Sequence, residues 1–199
     1  LKDYNKVYMV CDENTYRVLG ERAEQILKSV GKFSHKHILK GDVLPDARNI
    51  GDVLIHLNDP KADSDIFKYS PQPDFILAVG SGVVNDVCRV VSYRLGLPYG
   101  IAGTAPSMDG YASAGSPTLF DGTKATIKCP TPKYIIADLD VMKEAPFDML
   151  LSGIGDMFGK YIGILDWELA RDYNGDYYCR EIADEVIEAT DRCMKNGYD

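Results

Sequence analysis

The fold is decided by the stretch Asp74-Phe75-Ile76-Leu77-Ala78-Val79-Gly80-Ser81-Gly82, which residues 83–95 continue. The run before the glycines is short and apolar, as in a buried strand. Glycine permits the tight turn that follows, and the valines of residues 83–95 recur on one helical face. This order of strand, turn and helix aims free backbone N–H groups and a positive helix end at an anion. The sequence therefore predicts a phosphate-binding turn, although such a turn can also be purely structural.

A second polar loop follows the next predicted strand. That strand, Tyr99–Gly103, leads into residues 104–113, which are rich in hydroxyl groups and carry Asp109. The carboxyl ends of adjacent parallel strands share one edge of a sheet, where α/β proteins bind their ligands. We therefore expect this loop beside the glycine turn, and two polar loops at one edge favour a binding site. Asp86, just inside the helix, could contact the ligand or simply favour the helix dipole.

The order of predicted elements indicates an α/β fold. Apolar runs typical of strands alternate with amphipathic helices up to residue 95, which predicts a Rossmann-like, doubly wound parallel sheet. Asp121-Gly122 is a strong hairpin signal between residues 116–120 and 123–128.

Beyond residue 143 the pattern changes to helices alone. They are predicted at residues 147–151, 156–171 and 177–194, with a break at Tyr173-Asn174-Gly175. We therefore place a domain boundary near residue 143, with a Rossmann-like domain at residues 1–143 and the beginning of an all-helical domain at residues 144–199.

Composition excludes several classes of function. The 199 residues carry a net charge of −8, so no basic surface is expected to neutralise the phosphates of a nucleic acid. No apolar run approaches the roughly 20 residues of a membrane span, and no secretory signal is evident. The five cysteines are scattered without metal-type spacing, which indicates reduced thiols in a cytoplasmic protein. We expect neither nucleic acid nor a membrane as a partner.

The three histidines carry no clear functional signal. His35 and His37 alternate with lysines on a short predicted strand, which predicts solvated side chains at the edge of a sheet. His56 is predicted to lie on the surface of a helix.

Two further aspartates are candidate site residues, each with a plainer alternative. Asp12 follows the first predicted strand, where a carboxylate can bind a ribose or cap the next helix. Asp156 lies among the three glycines of residues 153–159 in an apolar stretch. A glycine costs a helix interior roughly 1 kcal/mol relative to alanine, so these glycines indicate close approach of the backbone to a cofactor, or tight helix packing. Asp156 itself could ligate a divalent metal, pair with Lys160, or cap the helix.

Four segments together resemble the glycerol-1-phosphate dehydrogenase family, a branch of the iron-containing alcohol dehydrogenase superfamily. They are Gly80-Ser81-Gly82-Val83-Val84-Asn85-Asp86, Thr104-Ala105-Pro106-Ser107-Met108-Asp109-Gly110-Tyr111-Ala112-Ser113, Gly155-Asp156-Met157-Phe158-Gly159-Lys160 and Tyr173-Asn174-Gly175-Asp176-Tyr177-Tyr178-Cys179. The resemblance covers nearly the whole chain. The glycine motif is shared across the superfamily, here with Ser81 in place of the usual middle glycine. The segment from Thr104 to Ser113 is far more specific.

The resemblance implies a metal-dependent oxidoreductase that transfers a hydride between NAD(P)H and dihydroxyacetone phosphate or glycerol 1-phosphate. It implies NAD or NADP as cofactor, a small phosphorylated substrate, and one divalent metal, zinc first with nickel or iron as alternatives. It also implies that Asp109 and Asp156 are catalytic and bind the substrate, and that Asp156 ligates the metal. The implied cofactor-binding residues are Asp12, Gly80, Ser81, Gly82, Val83, Val84, Asn85, Asp86, Thr104, Ser107 and Ser113.

The sequence departs from the family's pattern at the metal site. The family completes that site with two histidines beyond the aspartate, but here no histidine follows His56. Together with Leu1 in place of a methionine, this predicts a fragment that binds a dinucleotide without turning over, the full-length parent being the enzyme. The alternatives are a glycerol (polyol) dehydrogenase of the same superfamily or, if the chain ends at residue 199, a non-catalytic dinucleotide-binding module. A homo-oligomer is left open.

Overall fold

A computed structural model of the chain describes residues 2–57 and 72–197. Its strands and helices, in chain order, are β1 (Val7–Asp12), α1 (Glu13–Thr15), a π-helical turn (Tyr16–Gly20), α2 (Glu21–Ser29), β2 (Phe33–Leu39), α3 (Ala47–Ile55), β3 (Phe75–Gly80), α4 (Gly82–Leu95), β4 (Tyr99–Gly103), a 3₁₀ turn (Gly110–Ala112), β5 (Gly115–Phe120), β6 (Thr123–Lys128), β7 (Tyr134–Ala137), α5 (Leu139–Met142), α6 (Phe147–Phe158), α7 (Lys160–Asn174) and α8 (Arg180–Asn196).

Five parallel strands form the central sheet, in the order β2-β1-β3-β4-β7. Successive side chains of a strand point to opposite faces, and those of β1 and β3 are buried on both. On one face Met9 belongs to a core cluster with Leu19 and Leu27. On the other face the Tyr8 hydroxyl donates to the carbonyl of Val53 in α3 (3.1 Å). Helices thus cover both faces, and the predicted Rossmann-like, doubly wound parallel sheet is confirmed.

The predicted hairpin is also confirmed. β5 and β6 pair in antiparallel fashion, from Gly115 opposite Lys128 to Phe120 opposite Thr123. Asp121 (φ 47°) and Gly122 (φ 78°) both have positive φ. A two-residue turn with positive φ at both positions is the one whose twist matches that of the flanking strands.

The chain divides into two compact units, Leu1–Ala105 with Gly110–Ala145, and Pro106–Asp109 with Pro146–Asp199. The second unit contains α6, α7 and α8. The prediction that its first helix stops at residue 151 was wrong, because α6 continues unbroken through Gly153 and Gly155 to Phe158. None of the helices within residues 2–57 and 72–197 combines the length and the apolar character that crossing a bilayer requires.

β2 lies at the edge of the sheet, as predicted, but its histidines are not solvated. His35 is only 8% exposed, stacks on Tyr8 with 4.5 Å between ring centroids, and bonds through Nε2 to the carbonyl of His56 (3.0 Å). The side chain of His37 is 12% exposed. The prediction of solvated side chains was wrong because α3 packs against β2 and covers them.

Glu24 of α2 is a buried carboxylate held by three donors. It accepts hydrogen bonds from the Lys28 ammonium (2.6 Å), the Tyr16 hydroxyl (2.8 Å) and the Lys36 ammonium (2.5 Å). Burial by itself raises the pKa of Glu24, but these bonds outweigh burial and lower the pKa to about 2. The cluster ties α2 and the π-helical turn to β2.

This cluster gives the fold a defined sensitivity to acid. The unfolded chain binds the proton of Glu24 near pH 4.5 and the folded chain only near pH 2, so the contribution is complete above pH 4.5 and is lost as the pH falls through that window. The difference corresponds to roughly 3 kcal/mol. Urea unfolding at a series of pH values should show this acid limb in the wild type and a flatter one in Glu24→Gln. Glu21→Gln, an exposed change on the same helix, should retain the limb; identical profiles for both variants would contradict the assignment.

Candidate functional site

The predicted phosphate-binding turn joins β3 to α4. β3 ends at Gly80 and α4 begins at Gly82. The Asn85 N–H donates to the Ser81 carbonyl (3.1 Å), and the three N–H groups before it have no acceptor inside the helix. Within the described residues the Ser81 side chain makes no capping hydrogen bond. The first turn of α4 is therefore open to an external anion.

Other helices of the same unit begin differently. Asp12, Asp46 and Asp138 cap α1, α3 and α5, each with a carboxylate that accepts from one or two backbone N–H groups of the first turn. Those N–H groups are satisfied internally. By contrast with these three described helices, the positive end of α4 remains available for a ligand.

Gly80 lets the start of α4 approach the end of β3. A Cβ on Gly80 would lie 2.7 Å from the side chain of Val84, so a larger residue would push the helix away. Gly80 is also opposite Gly103 of β4, and the Thr104 N–H donates to the Gly80 carbonyl (3.0 Å). Thr104, the first residue of the polar loop, thus lies beside the glycine turn, as expected.

Two residues of the motif have buried side chains. Val84 is 2% exposed and Asn85 is fully buried, so any contact of these residues with a ligand goes through the backbone. The Tyr99 hydroxyl lies 3.4 Å from Asn85 Oδ1, whereas Asn85 Nδ2 has no hydrogen-bond partner among the described residues.

Asp86 lies beyond the first turn of α4 and forms an ion pair with Arg89 (3.0 Å). Burial raises the pKa of Asp86 to about 6, although the charges of Arg89 and Lys124 act in the opposite direction. The ion pair with Arg89 therefore fixes the Asp86 carboxylate within the protein. The expectation that Asp86 favours the helix dipole was wrong, because Asp86 does not lie in the first turn of α4.

Arg89 is the residue of this site that the sequence reasoning missed. It is 1% exposed, and its guanidinium makes five hydrogen bonds, as many as it has donors. They go to the Tyr99 hydroxyl (2.8 Å), Asp86 Oδ1 (3.0 Å) and the carbonyls of Gly110 (2.9 Å), Tyr111 (3.0 Å) and Gly115 (2.7 Å). Arg89 thereby fastens residues 110–115 to α4. A charged residue on the valine-rich face of the helix, three positions after Asp86, was the available signal.

The remaining predicted cofactor residues of the first unit have local roles as well. Asp12 accepts from the N–H groups of Asn14 and Thr15, both at Oδ1 (2.8 Å). Ser113 is exposed, and its hydroxyl donates to the Gly115 carbonyl (3.0 Å). Asp12 therefore is the helix cap that the sequence offered as an alternative, and its second carboxylate oxygen is not used in that cap.

The second unit brings Asp109 and Asp156 together. The Asp109 N–H donates to Asp156 Oδ2 (2.9 Å), and the Lys160 ammonium lies 2.8 Å from Asp109 Oδ2. The Asp109 N–H is the main cause that lowers the pKa of Asp156, and the Lys160 charge acts in the same direction. Asp156 is therefore anionic near neutrality. The ion pair of Lys160 is with Asp109, and its charge acts on Asp156 without a salt bridge to that residue.

Gly153 lets α6 pack closely against the backbone of Pro106 and Ser107. A Cβ on Gly153 would lie 1.8 Å from the Pro106 carbonyl oxygen and 3.6 Å from the Cα of Ser107. Tight packing against backbone is thus the reason for this glycine. By contrast, no described atom lies within 4 Å of a Cβ on Gly155.

The donor set around Asp156 does not by itself fit a metal. Catalytic zinc sites use about three protein ligands, and the sequence contains no histidine after His56. Asp156 and Asp109 are carboxylates, and the latter is already paired with Lys160. These residues supply one ligand, and no catalytic step can be derived through an ion from them alone.

Comparison with known proteins identifies a matching family and similar sequences. The sequence pattern of the family described as iron-containing alcohol dehydrogenase matches residues 1–146. Glycerol-1-phosphate dehydrogenase (NAD(P)+) of Bacillus subtilis is 37% identical over 202 residues, covering 100% of this chain and 48% of that protein. The protein of the same name from Thermococcus kodakarensis is 28% identical and is covered to 51%.

Solved structures agree in fold. A probable glycerol dehydrogenase from Sinorhizobium meliloti superimposes with a TM-score of 0.73 at 18% identity, covering 98% of this chain and 50% of that one. The chain spans about half the length of the curated relatives it matches. By the match over residues 1–146, the chain belongs to the iron-containing alcohol dehydrogenase family.

Proposed function

We propose that the protein this chain represents is a metal-dependent oxidoreductase that transfers a hydride between NAD(P)H and dihydroxyacetone phosphate, giving glycerol 1-phosphate, and catalyses the reverse. The observation that carries this proposal is the uncapped start of α4 beside Gly80, at the carboxyl edge of the parallel sheet. Relatives named for NAD(P)+ and glycerol 1-phosphate support the same choice of cofactor and substrate.

The glycine turn would hold the pyrophosphate of NAD or NADP. The N–H groups of Gly82, Val83 and Val84 would donate to it, and Gly80 and Ser81 would let the backbone approach closely. The bound dinucleotide supplies or accepts the hydride. Asn85 and Asp86 would stabilise the turn from its protein side, because the Asn85 side chain is buried and Asp86 is paired with Arg89.

Other cofactor contacts would follow from the neighbouring loops. A pocket of about 460 Å³ lined by Asp12, Leu39 and Gly41 would take a ribose, with the second oxygen of Asp12 as acceptor. Thr104, Ser107 and Ser113 would provide hydroxyl groups to the dinucleotide. The affinities of the wild-type chain for NADH and for NADPH distinguish the two cofactors.

Asp109 and Asp156 would bind the substrate and form the catalytic group of the second unit. In this proposal Asp156 is also one ligand of a divalent metal, zinc first with nickel or iron as alternatives. The other ligands would lie outside these 199 residues. Lys160 would keep Asp109 in place through its ion pair (2.8 Å).

The same proposal extends to organisation and location. Residues 1–143 would be the dinucleotide-binding domain, and residues 144–199 would begin the helical metal and substrate domain. The five free cysteines and the charge of −8 support a cytoplasmic enzyme whose partner is a small molecule and not a nucleic acid or a membrane. It would be free to form a homo-oligomer.

Dinucleotide binding can be tested on the chain itself. Gly82→Asp places a carboxylate at the first position of α4, where it suits the helix dipole but repels a pyrophosphate. We expect it to weaken NADH and NADPH binding, followed by nicotinamide fluorescence, by at least about tenfold, which is 1.4 kcal/mol. Ala47→Asp makes the same change at the start of α3 and should leave binding unaltered. Equal binding by Gly82→Asp and the wild type would remove the pyrophosphate from this turn.

Turnover requires the full-length parent protein. We expect reduction of dihydroxyacetone phosphate with NAD(P)H to be lost in Asp156→Ala while dinucleotide binding stays within about twofold, a difference of less than 0.5 kcal/mol. Asp148→Ala, a change near the start of the same helix, should retain turnover. Preference for unphosphorylated dihydroxyacetone would make the parent a polyol dehydrogenase, and hydride transfer to neither substrate would make it a binding module.

A further inference from the structure

A second group of metal-ligand side chains lies in the first unit, apart from the residues discussed above. His37 on β2 faces Asp52 on α3 and His56, the residue directly after that helix. His37 Nε2 lies 2.7 Å from Asp52 Oδ2, and His56 Nδ1 lies 3.3 Å from Asp52 Oδ1. One ligand atom from each residue can be chosen so that all three lie within 4.8 Å of one another.

We propose that His37, Asp52 and His56 form a binding site for a borderline transition-metal ion of the Zn²⁺, Co²⁺ or Ni²⁺ class. Two imidazoles and one carboxylate are the ligands such ions take. The spacing of Asp52 to His56 is i, i+4 at the end of α3, which brings the two side chains to one side of the chain. β2 supplies the third ligand from a separate element, so that the bound ion would join α3 to the edge of the sheet.

The site has room for an ion and for water. A surface pocket of about 480 Å³ is lined by all three residues, and by Lys40 and Arg48. A hard ion such as Mg²⁺ or Ca²⁺ needs several carboxylates, and among the residues that line this pocket Asp52 supplies one. Imidazole ligands are neutral when they bind, so they tolerate the neighbouring Lys40 and Arg48, and affinity then depends on the softer metal–nitrogen bonds.

Binding requires one ring to turn. The rings of His37 and His56 are stacked, with 4.3 Å between centroids and 16° between planes. Two nearly parallel rings cannot direct nitrogen lone pairs at one ion. The His56 side chain is 41% exposed, against 12% for His37, so His56 is the ring with room to rotate. Its rotation breaks the contact of Nδ1 with the Asp52 carbonyl (2.9 Å). Asp52, also 41% exposed, can follow it.

The test is a Co²⁺ titration of the whole chain, without an affinity tag and after treatment with a chelator. We expect one equivalent to bind with visible d–d absorption and without the near-ultraviolet band of a thiolate ligand, which excludes the cysteines. Zn²⁺ should displace it and raise the melting temperature. His56→Ala and Asp52→Asn should each lose more affinity than the about 10- to 100-fold cost of an outer-shell partner.

Asp156→Asn is the matched control, because it removes the ligand of the proposed catalytic metal and leaves this cluster intact. It should bind Co²⁺ like the wild type. A wild-type chain that binds no Co²⁺, or a Co²⁺ spectrum that persists unchanged in folded His56→Ala, would overturn the proposal. Loss of binding in Asp156→Asn alone would do so too, since it would assign the ion to the other unit.

Discussion

Gly153→Ala should destabilise the second unit by about 3 kcal/mol or more, at the upper end of the cost of overpacking. The added Cβ would lie 1.8 Å from the Pro106 carbonyl oxygen. Backbone cannot rotate out of the way as a side chain can, so α6 must move away from Pro106. Trp167 lies in α7 and is the single tryptophan of the chain. Its fluorescence during urea unfolding therefore reports the stability of this unit.

Gly155→Ala is the matched control, two residues further along the same helix. Nothing described lies within 4 Å of its Cβ, and alanine favours a helix interior over glycine by up to about 1 kcal/mol. The two substitutions are thus expected to shift the urea midpoint in opposite directions. If Gly153→Ala were as stable as the wild type, the helix would not pack on Pro106 as described.

Arg89→Met should destabilise the first unit by about 3–5 kcal/mol, the range for breaking a buried ion pair by removing one partner. The substitution keeps an unbranched apolar stem but removes the hydrogen bonds that Arg89 donates to Asp86 and to the carbonyls of Gly110, Tyr111 and Gly115. Circular dichroism during urea unfolding measures the loss. Amide hydrogen exchange should rise first in residues 110–116, because Arg89 holds that loop to α4.

Arg94→Met tests the same change on the same helix without the buried partners. Arg94 is exposed, so its loss should alter the free energy of unfolding by no more than about 0.5 kcal/mol. Similar effects of the two variants would mean that helix propensity or net charge, and not the five hydrogen bonds, accounts for the result.

The fold was predictable from the sequence wherever the signal is local. The glycines of residues 80–82 and the Asp121-Gly122 turn each act within a few residues, so their outcome could be predicted without knowing the rest of the chain. The parallel, doubly wound sheet followed from the alternation of strands and helices. The candidate site at the end of β3 was found in the same way.

What could not be predicted depends on partners far apart in sequence. The acceptors of Arg89 include backbone carbonyls 21, 22 and 26 residues away. Every residue has a backbone carbonyl, so the sequence does not indicate which of them Arg89 will bind. α6 runs through its glycines because Gly153 packs on Pro106, a contact that overrides helix propensity. The proximity of Asp109 to Asp156 is likewise a long-range contact, and only the family resemblance suggested it.

The strand order has a consequence for how the protein is made. In the order β2-β1-β3-β4-β7, β2 adds beside β1 and β3 adds to its other side, after which β4 and β7 extend the same edge. Each described strand of the sheet therefore joins a neighbour that has already been synthesised, and β5 and β6 pair with each other in a separate two-stranded sheet. Among the strands of residues 2–57 and 72–197, none has to insert between two that are already paired. The sheet can grow outward from its first strand in the order in which the ribosome delivers the chain.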